Sequence, residues 1–171
     1  MIIRQETTSD ASAVYELVKT AFASAEHSDG NEQDLVVLLH KSPAFQPALS
    51  LVAEENEKII GYILFSGIKI GEKTAIAPAP LAVLPEHQRK GVGLALLAEG
   101  HRIAKKLGYG ISVVLGSETY YPKVGYVPAS RFGIICPFEG VPDENYMALP
   151  LQEPAGDWNG TATYDKAFFE V

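Results

Sequence analysis

The sequence predicts a single α/β domain of the α+β type, a mostly antiparallel sheet of about seven strands flanked by helices. Three observations predict it. The 171 residues are 47% hydrophobic and 20% charged, enough chain and apolar surface for one buried core, with no repeat or linker dividing residues 1–171. Apolar residues recur at helical spacing near the N-terminus and again over 91–107. Elsewhere the pattern changes to short apolar runs separated by turn residues, the signature of strands.

Ile2, Ile3 and Arg4 open the chain as a strand. The side-chain oxygens of Thr7, Thr8, Ser9 and Asp10 mark a helix start, and Val14, Leu17, Val18, Ala21 and Phe22 give residues 9–23 one apolar face. A polar stretch, Ser24 to Gly30, leads to a second helix over 31–41 with Leu35, Leu38 and Leu39 inward. Ser50–Glu55 and Lys58–Ile70 make a hairpin across the polar Asn56-Glu57 turn, and Thr74–Val83 follows the turn at Gly71–Lys73. Pro78 and Pro80 lack the N–H that a ladder requires, so pairing along one side of this strand is interrupted.

Residues 91–107 form the strongest helix, with Val92, Leu96, Gly100, Ile103 and Leu107 on one face. Lys105 and Lys106 suit the negative end of its dipole, and Gly108 caps it. Ile111–Leu115 is a continuous apolar strand of the buried kind. A short helix over Glu118–Val124, a strand starting at Tyr126 and a last strand at Tyr146–Leu149 complete the set. The tail from Gln152 to Gly160 is irregular, and Tyr164, Phe168 and Phe169 pin it to the core.

Composition narrows the function. The formal net charge is −7, whereas proteins that neutralise nucleic-acid phosphates concentrate positive charge, so nucleic acid is not the expected partner. The lone Cys136 allows neither an intrachain disulfide nor a multi-cysteine metal site. His27, His40, His87 and His101 lack metal-ligand spacing, so no metal is expected. No apolar run approaches the roughly 20 residues of a membrane-spanning helix, and the N-terminus reads as a strand rather than a signal peptide. The expected location is the cytoplasm.

The informative segment runs from Leu81-Ala82-Val83 through Gln88-Arg89-Lys90-Gly91-Val92-Gly93. An apolar strand enters a short turn, and two glycines open the long helix. Glycine lets a ligand approach the backbone, and the free N–H groups of a first helical turn suit phosphate. Arg89 and Lys90 add full charges beside it. The nucleotide loops fit poorly. A Walker loop needs Gly-Lys-Ser/Thr, but Leu94 follows Gly93, and Leu96 stands where a dinucleotide fingerprint needs its third Gly or Ala. This excludes a nucleotide-dependent enzyme of either kind.

Gln88, Gly91 and Gly93 match in register the Gln/Arg-x-x-Gly-x-Gly/Ala acetyl-CoA loop of the GNAT superfamily of N-acetyltransferases, which this segment resembles. Tyr120-Tyr121-Pro122-Lys123-Val124-Gly125-Tyr126 is similar to the aromatic-Tyr-x-x-x-Gly-aromatic signature late in that domain, in the order the family has it. Ala79–Val83, Val114-Leu115-Gly116 and Tyr164–Phe168 look most like the YhbS-like branch.

The resemblance implies the GNAT acyl-CoA N-acyltransferase fold, a central mixed sheet splayed between strands 4 and 5. It implies acetyl-CoA as co-substrate, its pantetheine arm lying in the splay, and Leu81, Ala82, Val83, Gln88, Arg89, Lys90, Gly91, Val92, Gly93 and Leu94 as its binding residues. The partner is an amine attacking directly in a ternary complex, and homodimers are common among such proteins. Tyr121 becomes the general acid for the leaving sulfur and a cofactor contact. Glu32, at the start of the second helix, becomes the base or a substrate contact, with Glu26, His27 and Glu118 as further candidates for the base. Many relatives carry an Asn after the fifth strand where this chain has Gly116-Ser117-Glu118, and Ser117 is the expected replacement contact. Cys136, beside Pro137 and far from both motifs, reads as a small hydrophobe rather than an acyl carrier. The alternative is a non-catalytic acyl-CoA sensor or interaction module, against which the intact Tyr121 argues. The segments Ser24–Gly30, Pro43–Ala48 and Arg131–Asn145 are expected to choose the acceptor.

Overall fold

The computed structural model describes residues 1–25 and 28–171. In chain order the elements are β1 (Ile2–Gln5), α1 (Ala11–Phe22), α2 (Glu32–His40), β2 (Phe45–Glu55), β3 (Lys58–Ile70), β4 (Lys73–Val83), α3 (Val92–Lys106), β5 (Ile111–Leu115), β6 (Val127–Pro128), β7 (Ile134–Ile135), β8 (Tyr146–Pro150) and β9 (Gly160–Thr163). The main sheet runs β1-β2-β3-β4-β5-β8-β6, while β9 pairs with both β3 and β7. Within the seven-strand path every pair is antiparallel except β4–β5.

That parallel pair carries a single register contact, Ile76 with Ser112. Beyond it the strands diverge, and the gap opens where Pro78 and Pro80 deny β4 two ladder donors. The same stretch shifts register against β3, between Ile63 and Phe65.

β3 is buried on both faces, from Ile60 to Phe65, which explains its unbroken apolar sequence. Gly61 and Phe65 face α3: a β-carbon at Gly61 would press on Val92 and Leu96, and one at Gly100 would collide with the Phe65 ring. Gly100 thus sets the close approach of α3 to the sheet. At its C-terminus α3 closes in a Schellman turn, with Gly108 at φ +92° and Tyr109 N–H donating to Ala104 O. Leu107 is exposed rather than on the inward face, where Ala104 is buried instead.

Several sequence expectations shift. The first helix starts at Ala11, preceded by a 3₁₀ turn at Thr8–Asp10 whose Asp10 carboxylate is held by Arg4 at 2.8 and 3.0 Å. β2 begins at Phe45, five residues early, with a bulge between Phe45 and Ser50 that accommodates Pro47. The segment 118–124 forms only a 3₁₀ turn at Tyr121–Val124, because Pro122 and the left-handed Gly125 (φ +105°) confine it. β7 and β9 add two strands to the expected seven. They are two and four residues long, too short to show a period. Tyr164 and Phe168 pack inward, but Phe169 is exposed.

On the face of β3 opposite α3, a polar cluster ties β1 to α2. Glu6 Oε1 accepts from His40 Nε2 at 2.6 Å and Ser50 Oγ at 2.6 Å, and Ser50 Oγ lies 2.7 Å from Tyr62 Oη. His40 Nδ1 meets the Val36 carbonyl at 2.7 Å. With acceptors at both nitrogens the ring donates twice, so it is an imidazolium, and Glu6 raises its pKa above the ordinary value. This raised pKa contributes stability that is fully present below the unfolded value and lost as pH rises through the folded one. We expect the melting temperature to fall between pH 6 and pH 9 by about 2 °C more in the native protein than in His40→Gln, whose amide does not titrate. Equal falls in thermal melts of the two proteins contradict a charged His40.

Candidate active site

The phosphate-suited loop is built locally. β4 ends at Val83, a 3₁₀ turn follows at Pro85–His87, and Gln88 reaches back, its Nε2 donating to Val83 O at 3.0 Å. Arg89 and Gly91 both take positive φ, +61° and +87°. Gly91 is the N-cap of α3, and nothing lies within 4 Å of where its β-carbon would be. The Val92, Gly93 and Leu94 N–H groups follow it in the first turn, where no intrahelical acceptor exists. Together these make a cradle for an anionic group at the positive end of a 15-residue helix.

A cavity of about 820 Å³ extends from this cradle to the far side of β5. Leu81, Val83, Gln88, Arg89, Gly91 and Gly93 line one wall, joined by Val92 and Leu94. Gly116, Ser117, Thr119, Tyr120, Tyr121 and Lys123 line the other. The register explains why Leu81 and Val83 face it. Leu84 N–H donates to Ile60 O, so residues 84 and 82 bond to β3, and 83 and 81 turn their backbone groups to the gap beside β5. Ala82 is therefore placed differently from expectation, with its backbone toward β3 and its side chain in the core. Lys90 is exposed and does not line the cavity, whereas Lys123 does, its ammonium 5.6 Å from the centre of the Tyr120 ring.

Two close approaches shape the far wall. A β-carbon at Gly93 would strike Tyr120 Oη, and one at Gly116 would strike the Tyr121 ring. The second glycine of the loop thus makes room for a tyrosine of the second motif. Tyr121 is half-buried, edge-on to Tyr120 at 5.2 Å and to Tyr126 at 5.7 Å. Behind it Tyr126 Oη lies 2.8 Å from His101 Nε2 and 2.7 Å from Ser112 Oγ. Burial pushes the His101 imidazole down to about 4, so this supporting group is neutral. Burial also raises the Tyr121 phenol far above its ordinary value, which keeps it protonated.

A second cavity, of about 370 Å³, opens from the α1–α2 side and meets the first at Leu81 and Tyr121, which line both. Its walls are apolar, drawn from Ala77–Leu81 of β4, Val113 and Leu115 of β5, Phe22, Leu35, Phe138, Tyr164 and Phe168. Glu32 lines it too. Ser28 Oγ donates to Glu32 Oε1 at 2.7 Å, while Oε2 is buried with no hydrogen-bond partner among the described residues.

The other sequence candidates fall outside this junction. Glu118 is exposed, accepts from Asn145 Nδ2 at 2.8 Å, and lines neither cavity; that bond and one from its own backbone lower its pKa. Asn145 also donates to Gly116 O, so an asparagine from a distant turn steadies the β5 end. Cys136 is half-buried with its Sγ toward Phe138 O, and it lines neither cavity. Pro43–Ala48 borders a separate depression. Glu26 and His27 lie outside the described residues. Among the described residues no helix is long and apolar enough to cross a membrane.

The acetyltransferase (GNAT) domain family matches residues 46–128, the stretch that holds β2 to β5 and both motifs. The uncharacterised N-acetyltransferase YjhQ of Escherichia coli strain K12 is 37% identical over 149 residues, 84% of this chain and 79% of that protein. The chain belongs to the GNAT acetyltransferase family. Two solved GNAT structures share its whole architecture. The Escherichia coli GNAT protein YhbS in complex with CoA superposes with a TM-score of 0.89 at 26% identity, covering 99% of this chain and 92% of that one. A Brucella melitensis GNAT acetyltransferase in complex with acetyl-CoA gives 0.81 at 29% identity, over 98% and 97%. The GNAT fold is thus present along the full chain, with its parallel β4–β5 pair and splay.

His87, Gly116, Thr119, Tyr120 and Lys123 escaped the sequence reading, although Tyr120 and Lys123 stand inside the quoted aromatic motif. For Phe22, Phe138 and Phe168 the sequence carries no local sign, since they meet only through the fold.

Proposed function

We propose that this protein is an acetyl-CoA-dependent N-acetyltransferase, one domain over residues 1–171, working in the cytoplasm on a primary amine. The observation that carries the reading is the meeting of two cavities at Leu81 and Tyr121, where β4 and β5 part. One cavity suits a long anionic thioester and the other a small second substrate, so both reactants reach one junction from opposite sides.

The chain fits the co-substrate at three levels. The cradle at Gly91, with the first N–H groups of α3 and the Arg89 side chain, holds pyrophosphate. The exposed edge of β4 at Leu81 and Val83 offers backbone N–H groups to the pantetheine amides and the thioester carbonyl. Ser117 contributes a hydroxyl, itself 2.9 Å from Thr119 Oγ1, on the facing wall.

Transfer joins the amine nitrogen to the acetyl carbon and breaks the carbon–sulfur bond. The ammonium first loses one proton to solvent to free its lone pair; a second proton leaves nitrogen as the amide forms, and one arrives on sulfur. Tyr121 supplies the proton to sulfur and recovers one from nitrogen through water, so the phenol ends as it began. Glu32 is better suited to hold the incoming ammonium than to deprotonate it. Its carboxylate lines the second cavity at the N-terminal end of α2, in place to accept from that ammonium.

Calorimetric titration with acetyl-CoA and thiol release across a panel of amines test the reading. Micromolar binding with amine-dependent thiol release is the expected outcome. Binding without release for any amine leaves the sensor alternative, and no binding by folded protein removes both.

A further inference from the structure

We propose that the acceptor is a small monoamine with an apolar, aromatic body, its single ammonium beside the Glu32 carboxylate and its body in the 370 Å³ cavity. This rests on the acetyltransferase reading and names the substrate class of the same site.

The lining decides between the acceptor classes. Glu32 is the only formally charged residue among the described residues that line the cavity. One of its oxygens is committed to Ser28, and the other is buried without a hydrogen-bond partner among the described residues. A carboxylate partly removed from water and given one donor is incompletely compensated, and a ligand ammonium beside it supplies the countercharge. A polyamine or an aminosugar brings several cations to a wall with one carboxylate. An α-amino acid brings a carboxylate of its own, yet no Lys or Arg lines the cavity to receive it.

The apolar side is equally specific. The rings of Phe138 and Tyr164 lie 5.1 Å apart and those of Tyr164 and Phe168 5.2 Å apart, forming one aromatic wall. Phe22 and Leu35 of α1 and α2 complete the pocket. Besides Glu32, the side-chain polar groups among the described lining residues are two phenols: Tyr121 at the edge shared with the first cavity, and Tyr164, whose hydroxyl is 3.0 Å from Tyr146 Oη and so already engaged. An aryl group stacks or meets edge-on with such a wall. A body bearing hydroxyls or amides would lose hydration with nothing to replace it. The volume falls within the range of small-ligand sites, about 300–1,000 Å³.

Binding to the CoA-loaded protein tests this without turnover, by calorimetry with phenethylamine, phenylalanine and spermidine. Phenethylamine is expected to bind at least tenfold tighter than either of the others. Glu32→Gln, which keeps size and the Ser28 bond, is expected to weaken phenethylamine at least tenfold and leave the CoA titration unchanged. Equal or tighter binding of phenylalanine or spermidine overturns the inference, as does phenethylamine binding that is absent or indifferent to Glu32→Gln. Thiol release is scored separately. If phenethylamine binds through Glu32 but no amine is acetylated, the site assignment stands and the transferase reading falls.

Discussion

Tyr121→Phe is expected to leave acetyl-CoA affinity within about twofold of native and to lower kcat by about 10²–10³-fold. The phenol stands where the two cavities join, packed on Gly116 and edge-on to Tyr120 and Tyr126. Phenylalanine keeps all of that ring packing and removes only the hydroxyl, and with it the proton donor. The loss therefore belongs in kcat rather than in either KM. Burial holds the native phenol protonated well beyond neutral pH, so the alkaline limb of the native kcat profile is not set by Tyr121. Initial rates of thiol release across pH give both readouts. A kcat within fivefold of native would assign Tyr121 a packing role alone.

The second large effect belongs to Gly91. Gly91→Glu is expected to reduce acetyl-CoA affinity by at least 100-fold in calorimetric titration, with the fold retained. No protein atom lies within 4 Å of its β-carbon position, so the new side chain fits without a clash beside the first turn of α3. A carboxylate there meets the phosphates at the positive end of α3 and opposes them in both volume and charge. Gly91→Ala separates this from backbone strain. At φ +87° any side chain costs about 1 kcal/mol of stability, but a methyl group leaves most of the cradle open. Alanine is expected to lower the melting temperature by about 2–4 °C and affinity by less than tenfold. Equal binding by native and Gly91→Glu proteins would move the phosphates elsewhere.

The two halves of the site differ in how far they could be read from the chain. The loop from Val83 to Leu94 is contiguous, so its chemistry is written in consecutive residues: a strand end, a turn, glycines and a helix start. Tyr121 was legible for the same reason, as part of a seven-residue motif. Within that segment the structure places Ala82 and Lys90 away from the cavity lining. Strand pairing to β3 and the path of the turn decide which way a backbone group or side chain points. Arg89 takes the left-handed conformation and lines the cavity, while its neighbour does not.

The acceptor half had almost no local signature. Phe22, Glu32, Phe138, Tyr164 and Phe168 are spread over nearly the whole sequence, and only the packing of α1, α2 and the C-terminal tail against the β4–β5 gap brings them together. Glu32 was a candidate by position at a helix start, where a carboxylate has an ordinary electrostatic reason to be. What singles it out is an unpartnered buried oxygen, a property of the folded surroundings. Of the segments expected to choose the acceptor, 131–145 contributes Phe138, Ser28 from 24–30 holds Glu32, and 43–48 takes no part.

By itself the sequence determined the family, the layered architecture and the anion cradle, because each depends on residues near one another in the chain. Periodicity sets the helices and strands, and adjacency sets the loop. The tertiary structure decided which edge of β4 turns its backbone groups to the gap beside β5, and which residues meet around the two cavities that Leu81 and Tyr121 both line. Those depend on register and on long-range packing, which no local pattern of residues encodes.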